Sequence, residues 1–156
     1  MKFEHLVVVN DPADLLLSDL TREEVWFGLL CRAENPRPFL PGLESCTILE
    51  RFDNELVREL DFGAATIRDR VTLLPMASVR FHSEATPEHA GGSLTIAIEE
   101  PEAGMLVLRF TYLTTLAENG GSPDSAYSEF VKSAYHQSDL DTVRVIRMIA
   151  ESGRIQ

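Results

Sequence analysis

Alternation of apolar and polar positions dominates the middle of this chain. Six stretches have strand character: Ser45–Arg51, Glu55–Phe62, Thr66–Leu74, Ser78–Glu84, Ser93–Glu99 and Met105–Leu116. Turn-forming residues separate them: Asp53-Asn54, Gly63-Ala64, Pro75-Met76, the loop ATPEHAGG, and Glu100-Pro101-Glu102-Ala103-Gly104. Six consecutive strands on short connections predict an antiparallel meander. In the last two, Leu94, Ile96 and Ile98 alternate, as do Leu106, Leu108, Phe110 and Tyr112. One face is therefore apolar, and the other carries Thr95, Glu99, Arg109 and Thr111.

The flanks read differently. Residues 3–9 (FEHLVVV) predict a first strand, closed by Asn10-Asp11-Pro12. Thr21-Arg22-Glu23-Glu24 is a capping box that opens a helix, with Val25, Trp26, Leu29, Leu30 and Ala33 as its apolar stripe. Pro36 and Pro38 stop it. Near the end, Ser122 and Pro123 are good first residues for a long helix. Tyr127, Phe130, Val131, Ala134, Val145 and Ile149 share one of its faces. The fold class is α+β, with the long helix covering the apolar face of the sheet. Such a pairing leaves room for a ligand cavity between the two layers.

With 156 residues, 44% of them hydrophobic, the chain is long enough for one domain spanning 1–156 and too short for two comfortable ones. The formal charge of −11 argues against nucleic acid and anionic membrane surfaces as partners. A homodimer is compatible with the sequence. The segment MKFEHLVVVNDP is neither a signal peptide nor a span, so no membrane insertion is expected. Cys31 and Cys46 have no CxxC spacing and read as buried thiols in a reducing cytoplasm. His5, His82, His89 and His136 are scattered with no ligand spacing, so no metal is expected. No cofactor is expected either. HAGGS precedes a strand rather than a helix, ENGGSPDS lacks a P-loop Lys and reads as a flexible connection, and no Ser lies in a GxSxG elbow.

The stretch VRELDFGAATIRDRVTLL (residues 57–74) carries the sharpest chemical question. A two-residue turn at Gly63-Ala64 pairs Leu60 with Ile67 and Leu56 with Val71, which makes one face apolar. On that same face Arg58 sits opposite Asp69, while Glu59 opposes Arg68 on the outer face. An inward Arg58–Asp69 pair is either a structural ion pair or a polar anchor for a ligand carboxylate, phenol or enolate. In the long helix, Ser138 and Thr142 interrupt the apolar sector and Asp141 lies at its edge, within reach of Arg58. Alternatively HQSDLD marks a kink, and helical angles do not carry across it. Tyr112 and Thr114 continue the inward face of the last strand as hydrogen-bonding candidates. Trp26, Phe39, Phe62, Phe81, Phe110 and Tyr135 are candidates for core or cavity wall.

Several runs point to a family. They are MKFEHLV, RAENP (32–36), PGLESCTILER (41–51), RDRVT (68–72), HAGGSLTIAIEEP (89–101), LRFTYLTTL (108–116) and FVKSAY (130–135). With the element order, they resemble the AtaL-like group of the START-like (SRPBCC) superfamily. The resemblance implies the helix-grip fold, a curved antiparallel sheet of about seven strands wrapped on a long C-terminal helix around a cavity. It also implies a hydrophobic or amphipathic small-molecule ligand of lipid, aromatic or polyketide-like chemistry. An enzyme of cyclase, dehydratase or isomerase type is the alternative, with Arg58 polarising a carbonyl and Asp69 or Asp141 moving the proton. A protein-interaction module is a third class found in the superfamily.

Overall fold

A computed structural model describes residues 2–87, 91–114 and 125–155. The Ser122 cap, Pro123, the ENGGSPDS connection and His89 lie outside the described residues, as do the side chains of Tyr127 and Phe130. In chain order the elements are β1 (Lys2–Asn10), α1 (Arg22–Glu34), β2 (Ser45–Phe52), β3 (Glu55–Asp61) and β4 (Thr66–Leu74). They continue with β5 (Ser78–Ser83), β6 (Gly92–Glu102), β7 (Met105–Thr114) and α2 (Ser125–Ile155). Strands β2 to β7 form the expected meander, and β1 pairs antiparallel with β7 to complete a sheet ordered β1-β7-β6-β5-β4-β3-β2. This is the helix-grip architecture: one curved antiparallel sheet and a long C-terminal helix.

The β3–β4 hairpin has the register that its alternation dictates. Phe62 N–H donates to Ala65 O at 2.9 Å, and Leu60, Arg58 and Leu56 face Ile67, Asp69 and Val71. Gly63 sits at φ 84°, a left-handed conformation that glycine adopts at little cost. Several strand ends shift by a residue from expectation, and two differences have structural consequences. β6 runs on through Glu100 and Pro101, because an irregularity between Glu99 and Glu102 accommodates a residue without an N–H, and the turn falls at Ala103-Gly104. β1 includes Asn10, whose buried amide donates to Leu20 O at 2.7 Å and accepts from Leu20 N–H at 2.8 Å. That clamp ties the connection after β1 to the entrance of α1.

The capping box of α1 is complete: Glu24 N–H donates to Thr21 Oγ1 and Thr21 N–H to Glu24 Oε1. Val25, Leu29 and Ala33 bury one stripe of α1 in a core shared with Val9, Val71, Val79, Ile96, Leu108 and Ile146. The two helices touch closely at Gly28, where a Cβ would come within 2.7 Å of Ile146 Cγ1. A residue larger than glycine there forces a fully buried isoleucine to move. The helix α2 is continuous through HQSDLD. Arg154 pairs with Glu24, and Arg147 donates to Ser18 O at 2.8 Å and to Val9 O, which fixes α2 against β1 and α1. Among the described residues no helix is long and apolar enough to cross a membrane.

Candidate functional site

Between the sheet and α2 lies a cavity of about 340 Å³. Its apolar wall comes from Leu60, Phe62, Ile67, Phe81, Leu94 and Tyr135, and Leu40 closes one side. Its charged groups are Arg58 on β3, Asp69 on β4 and Arg32 on α1, and hydroxyls enter from Tyr112 and Thr114 on β7, Ser83 on β5, Ser93 on β6 and Ser138 on α2.

Arg58 is among the largest fully buried side chains, with 1% of its surface exposed. Its Nε donates to Asp69 Oδ1 at 2.8 Å and its Nη2 to Asp69 Oδ2 at 2.5 Å. Its Nη1 donates to Arg32 O at 3.2 Å and Ala33 O at 2.9 Å, two carbonyls of the last turn of α1. Four of the five guanidinium protons are thereby used, and the cation sits where the helix dipole is negative. The inward pair is locked from within. It bolts α1 to the β3–β4 hairpin and leaves little donor capacity for a ligand.

Arg32, not singled out as a site candidate by the sequence reading, is the opposite case. It is 6% exposed, makes no side-chain hydrogen bond or ion pair among the described residues, and its Nε is left without a partner. Its Cζ lies 4.7 Å from the centre of the Phe81 ring, and that of Arg58 lies 5.0 Å from the same centre. Burial pushes the guanidinium down to about 10; Tyr112, Asp139 and Asp69 act against this, and the nearby Arg58 charge adds to it. At neutral pH it still carries its proton. The signal was present in the sequence, since Arg32 follows Val25 and Leu29 at seven and three residues on the apolar stripe.

A third group joins β7 to α2. Tyr112 donates its hydroxyl to Asp139 Oδ1, and Asp139, 1% exposed, has no partner for Oδ2 among the described residues. Burial pushes the Asp139 carboxyl up to about 7, against the hydrogen bond from Tyr112 and the charge of Arg32. Burial likewise raises the Tyr112 hydroxyl well above its ordinary value, reinforced by Asp139. The Tyr112 ring packs against Tyr135 at 4.3 Å and Phe3 at 5.1 Å, and these two lie 5.3 Å from each other, so the three rings form one cluster that holds Tyr112 in place.

The other sequence candidates divide cleanly. Phe62, Phe81, Thr114, Tyr135 and Ser138 line the cavity beside Arg58, Asp69 and Tyr112. Phe110 on β7 is core, with no exposure and no place in the cavity wall. Thr142 is fully buried outside the cavity wall, and its Oγ1 has no partner among the described residues. The expectation that Asp141 reaches Arg58 is wrong. Asp141 turns outward and pairs with Arg144 and with Gln137 Nε2 at 3.3 Å. The carboxylate that points inward is Asp139, which lies four residues from Tyr135 and seven from Ile146 and so shares their face.

The cysteines and histidines also need correction. Cys31 and Cys46 are free, but half-buried rather than buried, and burial raises both thiols. His5 and His136 are not scattered: their Nδ1 atoms lie 3.0 Å apart across the β1–α2 seam. No group of three or more metal-binding side chains exists among the described residues.

Residues 7–153 match the family AtaL, described as acetylaranotin biosynthesis cluster protein L. The chain belongs to the AtaL family. No curated protein sequence matches it. Its fold is similar to that of the Zhui aromatase/cyclase from Streptomyces sp. R1128, at 22% identity and TM-score 0.64, covering 100% of this chain and 96% of the other. It is also similar to the di-domain ARO/CYC StfQ of the steffimycin biosynthetic pathway, at 15% identity and TM-score 0.68. There the alignment covers 99% of the AtaL-family chain and 52% of its neighbour. Human STARD10 aligns at 11% identity and TM-score 0.66, over 99% of this chain and 66% of that one.

Proposed function

We propose that this AtaL-family chain binds a hydrophobic or amphipathic small molecule, lipid-like, aromatic or polyketide-like, in the cavity between the sheet and α2. The observation that carries the reading is the cavity's make-up: apolar and aromatic walls around a buried guanidinium, Arg32, whose Nε has no partner among the described residues. The likeness to two structures named as aromatase/cyclases supports aromatic or polyketide-like ligands. One domain spanning residues 1–156 suffices, and no second copy, nucleic acid or cofactor enters the reading. The two free thiols support a reducing compartment such as the cytoplasm. A thermal-shift screen of lipids, aromatic acids and polyketide-like phenols tests it. At a hundredfold excess over its Kd, a ligand adds about 2.7 kcal/mol, or roughly 5–11 °C in a domain of this size. A screen in which none of these classes moves Tm would contradict it.

A second reading, a cyclase, dehydratase or isomerase, is favoured by the Tyr112–Asp139 pair. A phenol on the cavity wall, backed by a carboxyl near pH 7, can pass a proton to a bound carbonyl and recover it. Asp69 and Asp141 do not support that role, the first because Arg58 holds both its oxygens and the second because it faces outward. If this reading holds, Tyr112→Phe lowers turnover of a cyclising substrate at least about a hundredfold and leaves its binding nearly unchanged. Equal turnover in the variant would retire it.

A further inference from the structure

Counting charges in the cavity leaves a remainder. Arg58 and Asp69 neutralise each other through two short hydrogen bonds. Arg32, buried beside them and facing the same space, has no such partner among the described residues. Asp139 is the remaining buried carboxyl near it and its charge favours the Arg32 cation, but no direct ion pair joins the two, and Asp139 Oδ1 accepts from Tyr112. A buried, unpaired guanidinium is costly unless something supplies an anion. The Phe81 ring offers Arg32 a polarisable face but no negative charge.

We propose that the ligand is an amphipathic aromatic carboxylate whose carboxylate pairs with the Arg32 guanidinium and whose ring lies among Phe62, Phe81, Tyr112 and Tyr135. The inference rests on the small-molecule reading above and names the class of ligand for that same cavity. A carboxylate presents two oxygens in a plane and matches the donor fork of a guanidinium. Arg58 cannot take this role, because Asp69 and two α1 carbonyls already occupy four of its protons. Flat ring systems suit a wall with four aromatic side chains in a volume of about 340 Å³.

Isothermal titration of 2-naphthoate and of 2-naphthamide at pH 6 tests the proposal, since the two probes share a ring system and differ in charge. At this pH the naphthoate is ionised and Asp139 is largely protonated. The expected result is that wild type binds the acid about tenfold or more tighter than the amide. Arg32→Met should erase the preference while still binding the amide, and should unfold at the same or a higher temperature, because it removes an unpaired buried charge. Asp139→Asn should keep the preference. Equal affinity of wild type for the two probes, or a preference that survives Arg32→Met, overturns the assignment of Arg32 while leaving the cavity reading intact. Binding of neither probe removes both for aromatic ligands. The wild-type comparison decides the matter even where a variant does not fold.

Discussion

Asp69→Ala is expected to destabilise the protein by about 3–5 kcal/mol, the range found when one partner of a buried ion pair is removed. The loss is not the value of the pair itself. It arises because Arg58, 1% exposed and tethered to the end of α1, cannot withdraw to water when its carboxylate is gone. The charge would remain buried in a site designed for a neutral pair. Converting both residues to apolar ones, Arg58→Met with Asp69→Leu, should recover much of the loss, although the two α1 carbonyls then lack a donor. Urea unfolding monitored by tryptophan fluorescence reads both effects through the single Trp26. A loss below about 1 kcal/mol for Asp69→Ala would place the pair among solvent-screened surface bridges and contradict its burial. The outer pair of the same hairpin supplies the contrast. Glu59 and Arg68 meet at 3.2 Å in an exposed setting, where such bridges contribute about 0–1 kcal/mol.

Asp139→Asn should stabilise the protein, and more so as pH rises. The folded carboxyl is raised to about 7 from an ordinary value of 3.8, so between these values the folded state holds a proton that the unfolded chain has released. Wild-type stability therefore carries a penalty that is absent below about pH 4, grows as pH rises through 7 and is complete above it. Asparagine has no such titration and still accepts from the Tyr112 hydroxyl. At pH 8 the variant is expected to exceed wild type by roughly 1–3 kcal/mol, the cost of a buried polar atom left without a partner. Thermal unfolding of both proteins at pH 5 and pH 8 measures the difference between them and cancels every other titrating group. A gap that shrinks from pH 5 to pH 8 would mean that Asp139 is ionised at little cost in the folded state.

Much of this architecture is legible in the residues. Alternation gives the strands, the Thr21 capping box gives the start of α1, and the Gly63-Ala64 turn fixes a register in which Arg58 must oppose Asp69. The pairing of β1 with β7 is not legible, because it joins segments about a hundred residues apart that carry no local signal of each other. The cavity's chemistry was half legible. Strand alternation correctly turned Arg58, Asp69 and Tyr112 inward, since a period of two leaves no ambiguity once the turn is set. On helices the period is softer. An apolar stripe read for its hydrophobic members passes over Arg32, and a sector drawn through Ser138, Thr142 and Val145 instead of Asp139, Thr142 and Ile146 selects Asp141 in place of Asp139. What else Arg58 binds is not legible, for its further partners at Arg32 O and Ala33 O are backbone atoms of an element remote in sequence.

Occupation of the cavity is tested most directly by filling it. Leu94 lines the wall on β6 opposite Tyr112 and Phe81, and Leu94→Trp places an indole in the space a ligand needs. Thermal shift with the strongest stabiliser from the screen, on wild type and Leu94→Trp side by side, is the measurement. Wild type should gain roughly 5–11 °C at a hundredfold excess over Kd, and the filled variant, folded with a comparable Tm of its own, should gain nothing. An equal gain in both proteins would put the ligand somewhere other than between the sheet and α2.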